Sequence, residues 1–516
     1  MDNLRVRFAP SPTGALHIGG IRTALYNYLL AKKHGGTFVL RIEDTDQTRY
    51  VPGAEDYIIE ALRWSGIEPD EGPGIGGDFG PYRQSERKHI YQEYAQRLLD
   101  SGHAYYAFDT PEELNAQREA AKAAGNHNFK YGHQIRDQLK NSLNLSEQEV
   151  QEKLASGVPY TIRLKIPQDE TVSIQDLVRG EVQFQTNELD DKVILKGDGM
   201  PTYHLANIVD DYLMKITHVI RGEEWLPSTA HHVLLYRGLG WEAEMPQFAH
   251  LPLILKPTGK GKLSKRDGAK LGIPVFPLSW KGETPEDSFT GFREFGFLPD
   301  AANNFLAFLG WNPGTEQEIF DHDALIQAFS IEKIGKSGAR FDFDKARWFN
   351  QQYIIHSTVD QLQALVSTLL ASKGHDKVEP AFLKAFIRMM QERAVLVGDF
   401  WENGFYFFED FKEFDEKNIR KKWKPELRAQ FDLLLEEVNQ IEVFENTAIQ
   451  TKVEGFIQAQ ELRFGDVLPI LRIGLTGTMK GPAVFEMMEL FGKEEVLRRM
   501  KRSYQIFDEY TASLSA

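Results

Sequence analysis

The chain has 516 residues, 42% of them hydrophobic, and no cysteine, so it can build about three or four domains but neither disulfides nor thiolate-held zinc. Its net charge of −15 argues only modestly against a polyanionic partner, since an acidic exterior can still present a basic face. No apolar run is long enough to span a bilayer, and the opening Met1-Asp2-Asn3-Leu4-Arg5 lacks a secretory layout, so a cytoplasmic protein with no membrane partner is expected.

Val6 and Phe8 alternate with Arg5 and Arg7, the two-residue period of a half-buried strand. Pro10 and Pro12 hold Ala9 to Gly14 extended. A helix is predicted over Ile21 to His34, with Ile21, Leu25, Tyr28 and Leu29 on one face. Gly35-Gly36 ends it, and Thr37 to Ile42 reads as a second strand. Such a βαβ start predicts a parallel sheet. Residues 83–190 read as a charged, more helical insertion, with helices at Ala116 to Ala124 and Ser146 to Ala155. Parallel strands are expected to resume at Lys192 to Leu195 and Ile216 to Ile220. Beyond residue 340, Val359 to Leu370, Ala381 to Val397, Arg428 to Asn439 and Glu494 to Tyr504 read as amphipathic helices. The predicted fold is α/β: a Rossmann-like parallel-sheet domain from 1–82 and 191–255, an inserted domain at 83–190, a connecting domain at 256–340 and an all-α region at 341–516.

Two loops carry candidate chemistry. The first runs from Arg7 through Ala9-Pro10-Ser11-Pro12-Thr13-Gly14 to His17-Ile18-Gly19-Gly20 and joins the first strand to the first helix. Ligands of open parallel sheets bind at such a place. Gly19 and Gly20 let a nucleotide pack on the backbone, and His17 has a donor for phosphate oxygens. The plainer alternative is a Pro/Gly turn capped by His17, and for an isolated His-Ile-Gly it is the better reading. The second loop, Lys262-Leu263-Ser264-Lys265-Arg266, lies between Gly259, Gly261 and Gly268. Its cations suit a lid over a triphosphate, where charge moves onto the leaving group. Alone, it reads as a solvated basic loop.

Taken together, the loops resemble the two signatures of class I aminoacyl-tRNA synthetases. His17 to Gly20 matches H-x-G-H with glycine in the last position, and Lys262 to Arg266 matches K-M-S-K-S with Leu263 for methionine and Arg266 for the final serine. The wider string around Ala9 to Gly20 is similar to the glutamate-specific branch, which commonly tolerates that glycine. The resemblance implies a catalytic set of His17, Lys262 and Lys265, with Lys265 the principal ATP contact. It also implies an ATP site completed by Gly19, Gly20, Ser264, Arg266 and Trp225.

Glutamate asks a pocket for one anion and for donors to two carboxylates. Arg7 and Arg221 end strands, and a guanidinium can hold a carboxylate through two parallel hydrogen bonds. Glu43 opens the acidic turn Glu43-Asp44-Thr45-Asp46, and Tyr203 and Asn207 are spaced to share a helical face. Each has a structural alternative: Arg221 and Glu43 as a salt bridge, Tyr203 as a core aromatic. The strings Arg41 to Asp46, Pro201 to Asp211 and Ile220 to Trp225 are similar to the amino-acid pocket of the glutamate branch. That resemblance implies Arg7, Tyr203 and Arg221 on the side-chain carboxylate, Glu43 on the ammonium group, and Ser11 and Asn207 on the remaining polar edge.

The same resemblance implies ATP, L-glutamate and tRNA(Glu) as substrates of a two-step ligation through glutamyl-adenylate, with Mg2+ entering with ATP and the enzyme a monomer. Some relatives carry zinc in the insertion. Here His127 and His133, without cysteine, cannot complete a tetrahedral site, so no zinc is expected. The insertion is implied to meet the tRNA acceptor end and the helical region the anticodon, with Arg393 resembling an anticodon-reading arginine. Arg420-Lys421-Lys422-Trp423-Lys424 is open between an RNA face and a solvated helix terminus. An enzyme that also charges tRNA(Gln), or a glutaminyl enzyme, is the competing reading within the class.

Overall fold

The computed structural model describes residues 3–127, 129–282 and 284–512. They divide into two compact units: residues up to 294 with 299–346, and 295–298 with 347 onward. The strands are β1 (Arg5–Phe8), β2 (Thr37–Leu40), β3 (Ala104–Ala107), β4 (Thr161–Leu164), β5 (Thr171–Asp176), β6 (Gly180–Gln185), β7 (Val193–Leu195), β8 (His218–Gly222), β9 (Gln247–Leu251), β10 (Ile254–Leu255) and β11 (Ala339–Arg340). All belong to the first unit.

The large sheet has the order β2-β1-β8-β9-β5-β6. β1 forms where its alternation predicts it and pairs in parallel with β2 and β8. β9 and β5 continue in parallel, and only β6 runs antiparallel at the edge. The carboxyl ends of five strands therefore face one way, where ligands collect in open α/β sheets. The predicted first helix spans Ile18–Lys33, beginning earlier than expected because His17 caps it. Gly35 follows in the left-handed region at φ 61°. Gly36 has a tighter reason to lack a side chain, since a Cβ there would lie 2.4 Å from the Leu4 carbonyl oxygen. That close approach sets the start of the β1–β2 register.

Residues 83–190 hold more strand than their charged composition predicts. The expected helices are present at Pro111–Ala123 and Glu147–Ala155, each opened by a capping box at Thr110 and Ser146. β3 precedes them, and β4, β5 and β6 follow. β3 pairs antiparallel with β4, and β4 with β7, as a separate three-stranded sheet. The stretch expected to resume the parallel sheet at Lys192 to Leu195 thus belongs to this smaller sheet, whereas β5 joins the large one beside β9. An apolar triplet such as Val193 to Leu195 marks a buried strand without naming its partner. Tertiary packing chose otherwise. The strand expected at Ile216 to Ile220 is β8, in the large sheet.

The second unit is built of helices, among them Val359–Ser372, Pro380–Met390, Arg428–Asn439 and Lys493–Ala512. The helix expected over Ala381 to Val397 stops at Met390, followed by a short 3-10 turn at Gln391–Arg393. The Asp399 carboxylate then accepts from the backbone of Val395 and Leu396 and redirects the chain. Trp423 is 1% exposed and packs against Phe431 and Tyr504, with Nε1 donating to Asp508. Arg420 pairs with Glu416 and Lys422 reaches the Gly465 carbonyl. The Arg420 to Lys424 run is a helix end anchored by a core tryptophan, so its aromatic ring is not free to stack on bases. No described helix is long and apolar enough to cross a membrane.

Candidate active site

A cavity of about 1200 Å³ opens at the carboxyl ends of β1, β2 and β8. Its lining includes Arg7, Ser11, His17, Gly19, Gly20, Glu43, Tyr203, Asn207, Arg221, Trp225, Lys262, Ser264 and Lys265. These residues come from five separated stretches of sequence. Of the expected site residues, Arg266 is exposed and not part of the lining, and Arg393 lies in the second unit on an exposed turn.

At the end of the cavity formed by the two signature loops, one backbone hydrogen bond sets the state of His17. The Gly19 N–H donates to His17 Nδ1 at 3.1 Å. An amide N–H can only donate, so Nδ1 carries a lone pair and the proton of the neutral ring sits on Nε2. His17 Nε2 is buried with no hydrogen-bond partner among the described residues. Burial lowers the imidazole pKa to about 4, helped by Lys262, Lys265 and Arg22. The result is a neutral, preset N–H donor. At Gly20 a Cβ would fall 2.3 Å from Leu16 Cδ1, so the side chain of Leu16 fills the space that the last histidine of H-x-G-H would need.

The second loop leaves β10, turns through Gly259 and Gly261 at φ 80° and 105°, and returns with Leu263 N donating to the Ile254 carbonyl at 2.8 Å. Ser264 and Asp267 form a capping box at the start of the short helix Lys265–Leu271. Ser264 Oγ is thereby committed to Asp267 at 2.5 Å. Lys262 Nζ pairs with Glu224 at 2.6 Å, and Lys265 Nζ lies 5.6 Å from the Phe276 ring centre. A Cβ on Gly14 would lie 3.7 Å from Lys265 Nζ, so the two signature loops approach each other. Glu224 was missed by the sequence reading, although it stands beside Trp225 in a string singled out there.

At the other end lies a buried ionic network. Asp211, on the helix Tyr203–Leu213, accepts from Arg7 Nε at 3.0 Å and from Arg41 Nη1 at 2.8 Å. Burial opposes charge on Asp211, but the two guanidinium groups outweigh it and hold its pKa below the usual value. Arg41 also reaches Glu43 at 3.2 Å, and Asn207 Nδ2 donates to the same Glu43 oxygen at 3.0 Å. Burial raises the Glu43 pKa despite those partners. Tyr203 and Asn207 do share a helical face. The Glu43–Arg221 salt bridge weighed from sequence does not form, because Arg41 takes that place. Neither Arg41 nor Asp211 was expected to contribute. An Asp210-Asp211 pair inside an apolar helix was the available signal, since buried carboxylates require cations.

Arg221 is held differently. It is 5% exposed, and no described carboxylate oxygen comes within 4.0 Å of its guanidinium. Nε donates to His250 Nε2 at 3.0 Å, Nη1 to the Tyr203 hydroxyl at 2.8 Å, and Nη2 to Thr229 Oγ1 at 2.8 Å. Burial lowers its pKa from the usual value. Arg7 spends Nε and Nη2 on Asp211, which leaves Nη1 for the cavity. Tyr203 packs on Trp225 with ring centres 4.5 Å apart, and Trp225 is 42% exposed at the rim. A cation buried among neutral acceptors beside an open cavity is costly unless an anion arrives.

Comparison with known proteins gives the family. Residues 3–348 match the family described as tRNA synthetases class I (E and Q), catalytic domain, and residues 357–504 match the anticodon binding domain. The chain is 54% identical over 502 residues to a glutamate–tRNA ligase of Christiangramia forsetii, covering 97% of this chain and 99% of that one. It is 53% identical over 500 residues to one of Flavobacterium psychrophilum, covering 97% and 98%. A crystal structure of a glutamate tRNA ligase from Elizabethkingia meningosepticum in complex with its amino acid superposes with a TM-score of 0.94 at 48% identity, covering 98% of this chain and 99% of that one.

Proposed function

The chain belongs to the class I tRNA synthetases for glutamate and glutamine, and from that premise we infer that it is a glutamate–tRNA ligase acting on tRNA(Glu). An α-carboxylate oxygen of glutamate attacks the α-phosphorus of ATP, and the bond to the β-phosphate breaks to release pyrophosphate. A ribose hydroxyl of the terminal adenosine then attacks the carbonyl carbon of glutamyl-adenylate and AMP leaves. No side chain needs to become covalently attached, so positioning and charge stabilisation carry the rate. Mg2+ enters bound to ATP as part of the substrate.

In this reading His17 Nε2–H donates to a phosphate oxygen, and Lys262 and Lys265 follow the charge onto pyrophosphate. Gly19 and Gly20 admit the nucleotide, Ser264 borders it, and Trp225 flanks the adenosine; Arg266, outside the lining, is left without a part in the bound state. Arg7, Tyr203 and Arg221 take the side-chain carboxylate. Glu43 takes the ammonium group, with Asn207 and Ser11 along the polar edge. The single observation that carries the choice of glutamate is Arg221, buried with only neutral partners. A carboxylate completes that site, whereas a carboxamide leaves the cation uncompensated.

ATP–pyrophosphate exchange with glutamate or glutamine, each with and without tRNA, tests the proposal. Exchange with glutamate and none with glutamine is expected. The reverse would refute it. The anticodon role of Arg393 belongs to the same reading: Arg393→Gln should raise charging of tRNA(Gln) relative to tRNA(Glu), and an unchanged ratio removes that role. A monomer without zinc in the cytoplasm completes the proposal. It is supported by the presence in one chain of both the catalytic and the anticodon-binding regions and by the lack of cysteine.

A further inference from the structure

Behind Arg221 stand two buried residues that do not line the cavity. His250 on β9 is directly opposite Arg221 on β8 in the parallel register. Asp176 ends β5, the next strand across. Arg221 Nε donates to His250 Nε2 at 3.0 Å. A guanidinium only donates, so Nε2 must carry the lone pair and the ring proton sits on Nδ1. Nδ1 in turn donates to Asp176 Oδ2 at 2.6 Å. Asp176 Oδ1 is held by the backbone N–H groups of Val178 at 2.9 Å, Arg179 at 2.8 Å and His250 at 3.3 Å. Both side chains are 0% exposed.

The remaining neighbours of the His250 ring are Thr229 Oγ1 at 3.2 Å and the stacked Phe248 ring. Arg179 approaches only the His250 carbonyl, at 3.2 Å. A buried hydrogen-bonded pair could serve merely to fasten β5 to β9. That role accounts for Asp176 but not for an imidazole with its second nitrogen aimed at a guanidinium.

We propose that Asp176 and His250 are positioning residues for recognition of the substrate's side-chain carboxylate. Asp176 fixes the His250 tautomer, the Nε2 lone pair fixes Arg221 Nε, and the guanidinium is thereby held in the cavity wall, with its Nη groups on the Tyr203 hydroxyl, His232 Nδ1, Thr229 Oγ1 and the Trp225 carbonyl. This rests on the reading of Arg221 as a ligand of glutamate. Neighbours that orient a binding group in this way are what preorganise a site.

Asp176→Asn is the sharp test. Its Oδ1 keeps the three backbone donors, while Nδ2 becomes a donor facing His250 Nδ1. The imidazole proton then moves to Nε2 and confronts the Arg221 Nε–H, donor against donor. In pyrophosphate exchange with tRNA present, the KM for glutamate should rise about ten- to a hundredfold, the scale of one charged hydrogen bond. The KM for ATP should stay unchanged, and nitrogen-15 NMR of histidine-labelled protein should show the His250 proton moved from Nδ1 to Nε2. His250→Gln, whose Oε1 can accept from Arg221, should recover most of the glutamate KM lost in His250→Leu.

A glutamate KM within about twofold of the parent in Asp176→Asn overturns the proposal, as does a parallel rise in the KM for ATP. If Asp176→Asn does not fold, equal glutamate KM values for His250→Gln and His250→Leu overturn it. Arg221→Leu separates the layers. If that variant leaves the glutamate KM unchanged, the ligand reading itself falls. If it raises the KM and Asp176→Asn does not, only the relay falls.

Discussion

His17 caps a helix through one ring nitrogen and offers a proton through the other, and a single variant can part the two roles. His17→Asn keeps an oxygen for the Gly19 N–H but cannot reach as far as Nε2. The rate of glutamate-dependent pyrophosphate exchange should fall about a hundredfold, with the melting temperature unchanged. The same neutrality has a cost in acid. His204 is pushed down to about 3 by burial, with His231 and Lys192 adding to it, against 6.5 in the unfolded chain. The unfolded state therefore binds the proton first, so stability is full above pH 6.5 and is lost as the pH falls through that window. At pH 5 this residue should cost about 2 kcal/mol. His204→Phe should recover that amount in urea unfolding at pH 5 and change little at pH 7. Asp211 works in the opposite sense, because it joins Arg7 and Arg41. Asp211→Asn leaves two buried cations short of an anion and should destabilise by about 3–5 kcal/mol in the same assay. Most of the cavity-lining residues named from sequence sit just after strands or on signature loops, where position alone suggests a ligand, and Tyr203 and Asn207 were legible from their i, i+4 spacing on one helix. Asp211, Arg41, Glu224 and His250 were not legible because their meaning is a partner far away in sequence.

At the level of elements, β1 and its following helix were readable since alternation, prolines and glycines all agree over Arg5 to Gly36. The same logic yields a prediction. Gly36→Ala would drive a Cβ into the Leu4 carbonyl at 2.4 Å and force β2 away from β1. It should lower stability by about 1–3 kcal/mol in denaturant unfolding, the usual range for overpacking. Strands β5 and β6 escaped notice inside a stretch rich in charge, although Val172, Ile174 and Asp176 are buried in alternation with exposed neighbours. A six-residue alternating strand is a weak signal beside two long helices. Their omission hid Asp176, whose position is fixed only once β5 is placed next to β9.

For the molecule as a whole, the net charge of −15 said little about tRNA and much less than the local arrangement of a few cations. The first unit holds the entire cavity, so a ligand that completes it should register in the unfolding of that unit. L-glutamate at a hundred times its Kd should raise the unfolding free energy by about 2.7 kcal/mol, and L-glutamine at the same concentration should not, as read by calorimetry.

Arg7 and Arg221, the two arginines assigned to the side-chain carboxylate, are bound to the protein in opposite ways. Arg7 cannot be spared, since Asp211 would be left with half its counter-charge. Arg221 answers to no carboxylate, and Asp176 would keep its three backbone donors if the guanidinium were gone. A change of amino-acid identity, whether by descent or by design, therefore has an entry point at position 221 that the architecture leaves negotiable, while position 7 is written into the folding of the domain.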